Sequence, residues 1–110
     1  MHHISLFDMN QGLADLTYID ENEVRLNVTT GWQTLEILSE VGVAYTYRGF
    51  TPALIVSRNG ARHVLLIGAK SLAEPLNQIR QSRGHLTGIE IRCRKTGTER
   101  TAVYEIETVN

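Results

Sequence analysis

Two apolar runs separated by Asn59-Gly60 constrain this chain more than any other feature. Leu54-Ile55-Val56-Ser57-Arg58 precedes the pair, and Ala61-Arg62-His63-Val64-Leu65-Leu66-Ile67 follows it. Asn-Gly supplies the two left-handed residues of a type I′ turn, so the runs must form an antiparallel hairpin with a two-residue loop. Pro52 stands at the start of the first arm, where a missing N–H does little damage. Gly68 ends the second arm. A helix is then predicted over Ala69–Ser82, with Leu72, Leu76 and Ile79 as its apolar stripe. Ser71 is its expected N-cap, with Glu74 three residues on as capping-box partner. Pro75 falls late for a first-turn proline and is expected to shift the start or kink the first turn. Gly84 stops the helix, and Arg80 and Arg83 lie near its negative end.

The remaining segments read as strands. Val24–Thr30 alternates apolar and polar residues, as a half-buried strand does. Trp32–Ser39 has a helical reading through Trp32, Leu35 and Leu38 and a strand reading through Leu35, Ile37 and Ser39. Its β-branched Thr34 and Ile37 favour the strand. Val43–Arg48 sets Val43, Tyr45 and Tyr47 on one side and Ala44, Thr46 and Arg48 on the other. A last hairpin is predicted from Thr87–Lys95, a turn over Lys95–Arg100, and Thr101–Thr108. The expected fold is mainly β: a five-stranded OB-like barrel over residues 23–110, with one helix between the third and fourth strands. Residues 1–22 form an N-terminal arm or an extra strand.

A chain of 110 residues has room for one domain with its own core. Its single cysteine allows no intrachain disulfide and no cysteine metal cluster, which fits a reducing compartment. Met1-His2-His3-Ile4-Ser5-Leu6-Phe7-Asp8 has no basic stretch followed by an apolar one, so no secretory leader is expected. Apolar runs such as Val64–Ile67 are too short to cross a bilayer. The expected location is the cytoplasm, the chain's own or that of a host cell, with no membrane partner. A net charge of -1 hides an asymmetry. Residues 1–47 hold one cation, Arg25, against seven anions, whereas residues 48–110 hold ten cations against five anions. Nine of the eleven cations are Arg, the side chain suited to phosphate forks and to stacking on bases. Either folding gathers a basic face, or the two halves neutralise each other.

Three stretches carry a family resemblance: Gly31–Glu40, Leu54–Leu76 and Ile91–Ile106. The last contains a basic strand, a Lys-x-Gly turn at Lys95-Thr96-Gly97, a Thr and a strand with Tyr104. Together they resemble the small OB-fold single-stranded DNA-binding proteins of bacteriophages and mobile elements. The resemblance implies a barrel over roughly residues 31–108 that binds single-stranded DNA. This chain lacks the cysteine-rich insertion of some such proteins, so no metal is implied. It also lacks a long acidic C-terminal tail, so recruitment of partners through one is not expected.

Single-strand binding needs cations for the backbone and ring faces for the bases. The expected cations are Arg92, Arg94, Lys95 and Arg100 around the last hairpin, Arg58 and Arg62 beside the Asn-Gly turn, and Arg48. The expected ring platforms are Tyr45, Tyr47 and Phe50, because Tyr47-Arg48-Gly49-Phe50 reaches a turn. Trp32 and Tyr104 are further aromatic candidates; for each of the five rings taken singly, core packing is the simpler role. Against a strong binder, Glu90, Glu105 and Glu107 stand where they can pair with Arg92 or Arg94 on adjacent strands. Cys93 shares parity with Ile89 and Ile91 and belongs to the core. His63, His85 and His2-His3 have no ligand-like spacing, no Gly-rich phosphate loop is present, and no catalytic triad suggests itself. The chain is therefore read as a non-enzymatic binder without cofactor. Its expected partners are single-stranded nucleic acid and, through edge strands, further copies of itself. The alternative is a protein-interaction or oligomerisation module that uses the acidic N-terminal half.

Overall fold

Asn59 and Gly60 both take left-handed backbone, with φ of 54° and 82°, and Arg58 pairs directly with Ala61. The computed structural model thus closes the central hairpin as its residues demand. It describes residues 17–19, 24–46 and 49–109, with side chains over 24–44 and 49–109. Among these residues are β1 (Thr17–Ile19), β2 (Gln33–Ile37), β3 (Gly42–Thr46), β4 (Gly49–Arg58), β5 (Ala61–Leu66), α1 (Lys70–Arg83), β6 (Glu90–Lys95) and β7 (Tyr104–Thr108). The fold is mainly β with one helix. All described strand pairings are antiparallel except β1 with β3, which is parallel.

β4 organises the sheet. One of its edges carries β5, and the other carries β3 opposite Gly49–Ala53 and β2 opposite Val56 and Ser57. β2 also pairs with β6, and β6 with β7, giving the order β5-β4-β2-β6-β7. The helix lies in the chain between β5 and β6, as the hairpin-then-helix reading requires. The sheet does not close into a barrel: β5 and β7 are not paired. Residues 24–29 instead bond to β5 and to the end of β6 and, among the described residues, not to β7. Val64 N–H donates to the Val24 carbonyl at 2.7 Å, Leu26 N–H to the Val64 carbonyl at 2.8 Å, and Lys95 N–H to the Thr29 carbonyl at 2.8 Å. The strand expected over Val24–Thr30 is therefore reduced to a parallel bridge at Arg25. Its alternation is real, since Leu26 is buried and Val28 packs on the core. Yet the segment crosses from one strand to another rather than running along either.

The core sits between the inner face of β2, β4, β5 and β6 and the buried side of α1. Leu35, Ile37, Leu54, Leu65, Ile91 and Cys93 meet Leu72, Ala73 and Leu76 there. A second cluster, Ala44, Ala53, Ile55 and Val64, occupies the opposite face, so β4 is buried on both sides from Thr51 to Val56. This explains its continuous apolar run, where a one-faced strand would alternate. No described helix is long and apolar enough to cross a membrane.

The helix starts differently from its sequence signature. Its N-cap is Ala69, which makes no side-chain cap, so neither Ser71 nor a Ser71–Glu74 capping box begins it. Lys70 already lies in the helix, and Pro75 sits inside it. Packing of Leu72, Ala73 and Leu76 outweighs the local capping preference, which is worth about 1 kcal/mol. The Ser71 hydroxyl is used elsewhere: its Oγ accepts from Tyr104 N–H at 3.1 Å and ties β7 to the helix. The C-terminus behaves as expected, with Gly84 left-handed at φ 82° and its N–H donating to the Arg80 carbonyl at 2.8 Å. Ser71→Ala leaves the Tyr104 N–H without that acceptor. It should lower stability by about 1 kcal/mol in chemical denaturation, whereas an idle surface serine would show no loss.

Candidate functional site

The basic strand of the last hairpin has two faces, because side chains alternate along it. Ile91 and Cys93 point inward and are fully buried. Burial alone pushes the Cys93 thiol up to about 11, which suits a small core hydrophobe and no nucleophile. Arg92 and Arg94 point outward. Register sets Arg92 against Thr34 on β2 and Glu107 on β7, and Arg94 against Glu105 on β7. Both arginines are paired with these glutamates: Arg92 Nη2 lies 2.6 Å from Glu107 Oε1, and Arg94 Nε lies 2.7 Å from Glu105 Oε1.

Their other neighbour is Trp32. The guanidinium carbons lie 4.7 Å (Arg92) and 4.5 Å (Arg94) from the centre of its ring, within cation–π range. Trp32 just precedes β2 and is 36% exposed, so it is no core residue. Continuing the alternation of β2 puts it on the outer face with Thr34 and Glu36. That face carries Arg92 and Arg94 against Glu36, Glu90, Glu105 and Glu107, a net negative surface. Cations and a ring do converge there, but the carboxylates cancel the field a phosphate would feel.

The other expected residues are dispersed. Arg58 and Arg62 flank the Asn-Gly turn, yet Arg58 is opposite Ala61 while Arg62 is opposite Ser57, one step away in the alternation. They therefore point to opposite faces of the hairpin. Phe50 opens β4 and is 50% exposed. Tyr47 and Arg48 lie outside the described residues; of Tyr45 only the backbone is described, and it pairs with Phe50. Arg100 is exposed in the β6–β7 connection.

Lys95 ends β6 on the inner side, its Nζ 5.5 Å from the centre of the Tyr104 ring. Both line a cleft of about 290 Å³ at the unclosed seam. Arg25, Asn27 and Val28 of the crossing segment form one wall, and Leu65 and Leu72 lie toward the core. Among the described residues the lining holds two cations and a ring, and no carboxylate. Among the described residues, neither cation is within ion-pair distance of an acid. Arg25 is the one site cation that sequence reasoning passed over. Its signal was present, a lone positive charge on an alternating stretch in an acidic half, but its neighbour Lys95 is seventy residues further on in sequence.

A hydrogen-bonded carboxylate lies in the β2–β3 connection. Glu40 accepts from Leu86 N–H at 2.9 Å, Thr87 N–H at 2.7 Å and the Thr87 hydroxyl at 2.6 Å. Burial pushes its carboxyl up, but these hydrogen bonds and the nearby His85 outweigh it and hold the group below its ordinary 4.5. The ionised form is thus favoured by folding. Its contribution is fully present above pH 4.5 and is lost as pH falls through the depressed folded value. Glu40→Gln should cost about 1 kcal/mol at neutral pH, kept small by solvent exposure. The difference from the parent should shrink below pH 4.5 in pH-dependent thermal melts; a constant difference would show that the charge is irrelevant.

Among the described residues, no group of three or more His, Cys, Asp or Glu is placed to hold a metal ion. No protein family, curated protein or solved structure matches the chain.

Proposed function

We propose that this protein is an OB-type module that binds single-stranded nucleic acid without sequence preference, through the cleft at its open seam. The observation that carries the reading is the chemistry of that cleft: Arg25 and Lys95 beside the Tyr104 ring, with no carboxylate among the described lining residues. Cations for the phosphates and a ring face for a base are the two elements such binding requires. The strand order β5-β4-β2-β6-β7, with a helix between the third and fourth of the five barrel strands in chain order, supports the OB assignment. That fold is itself a partly open barrel. Arg100 is exposed on the connection that follows Lys95. Arg92 and Arg94 contribute less in this reading, because Glu105 and Glu107 already hold them.

The acidic-half alternative has less behind it. Asp8, Asp15, Asp20, Glu21 and Glu23 lie outside the described residues, and Glu40 is engaged by Leu86 and Thr87. The direct test is fluorescence anisotropy with labelled oligo-dT at two salt concentrations. Binding should weaken linearly in log salt, with a slope of about 0.7 per phosphate neutralised. Absence of binding at low salt removes the reading.

A further inference from the structure

β7 ends the described sheet, and among the described residues part of its outer edge has no partner. Thr96 N–H donates to the Val103 carbonyl and Val109 N–H to the Glu90 carbonyl, both at 2.9 Å. The odd residues of β7 therefore bond to β6, and the even ones turn their backbone groups away from it. Tyr104 N–H is covered by the Ser71 hydroxyl. Ile106 and Thr108 follow on the same side, where a closed barrel would have brought β5. Among the described residues no hydrogen-bond partner meets them there. Between this edge and α1 lies a cleft of about 340 Å³, with Ile79 and Pro75 on the helix and Ile106 on the strand supplying apolar surface. Arg83 stands on its rim.

We infer that this edge accepts an extended peptide segment of a partner protein as an added strand, with basic and apolar residues in alternation. Backbone pairing with Ile106 and Thr108 gives the affinity, and the period of two sorts the side chains. One set faces the cleft and packs on Ile79 and Ile106. The other lies on the outer face beside Glu105 and Glu107, which pair with Arg94 and Arg92, while Glu90 and, further in, Glu36 leave that face net negative. A second copy of this chain suits the edge poorly. Pairing β7 with its own copy about Ile106 sets Glu105 opposite Glu107, and like charges directly opposite are destabilising. The inference does not depend on the nucleic-acid reading.

The test is titration of a labelled eight-residue peptide of alternating Lys and Val with the full chain, against an alternating Glu and Val control. The Lys–Val peptide should bind and the control should not. Thr108→Pro removes an outward N–H and leaves the ladder to β6 intact. It should weaken binding about tenfold at an unchanged melting temperature. Glu105→Gln with Glu107→Gln should weaken the Lys–Val peptide and narrow its advantage over the control. Failure of the Lys–Val peptide to bind the parent chain, or binding that Thr108→Pro leaves unchanged, overturns the proposal.

Discussion

Arg25→Glu combined with Lys95→Glu is expected to weaken binding of oligo-dT by roughly a hundredfold at low salt, because each charge-assisted contact contributes about 1.5 kcal/mol and two are lost. The salt slope should fall with it, since two fewer phosphates are neutralised. The same reversal on the outer face, Arg92→Glu with Arg94→Glu, should have a smaller effect on binding. Those guanidiniums already face Glu105 and Glu107, so the reversal mainly sets like charges together and loosens the contact with Trp32. Anisotropy titrations of both variants, with melting temperatures to confirm folding, separate the two faces. If the outer-face pair proves the more damaging, the seam is not the binding site.

Ile91→Ala should lower stability by about 2–5 kcal/mol, whereas Arg92→Ala, its immediate neighbour, should cost under about 1 kcal/mol. Ile91 is fully buried between β2, β7 and the helix side of the core, and truncation leaves a cavity in a packed interior. Arg92 loses only a solvent-exposed ion pair and a ring contact. Domains of this size have about 5–15 kcal/mol in total, so the first change brings the protein near its unfolding threshold and the second does not. Urea denaturation of the two variants measures both. Equal losses would contradict the two-faced strand.

Much of the architecture was legible because it rests on local chemistry. The Asn59-Gly60 hairpin, the left-handed stop at Gly84 and the inward parity of Ile89, Ile91 and Cys93 each depend on a few adjacent residues. The ambiguous stretch Trp32–Ser39 proved to be strand over Gln33–Ile37, in keeping with its β-branched residues. Where local chemistry competed with packing, packing won. Ser71 has the signature of a helix cap, yet its hydroxyl accepts from Tyr104, 33 residues away, because the helix docks against β7. Trp32 passes for a core aromatic until β6 brings Arg92 and Arg94 against its ring.

Residue types and their spacing sufficed to specify a mainly β chain, its central hairpin, its helix and the supply of arginines. Which of those charges remain available to a ligand was decided only in three dimensions. A charge's field depends on its nearest opposite charge, and here those neighbours come from other strands: Glu105 and Glu107 silence Arg94 and Arg92, while the unclosed seam leaves Arg25 and Lys95 facing a cleft whose described lining carries no acid.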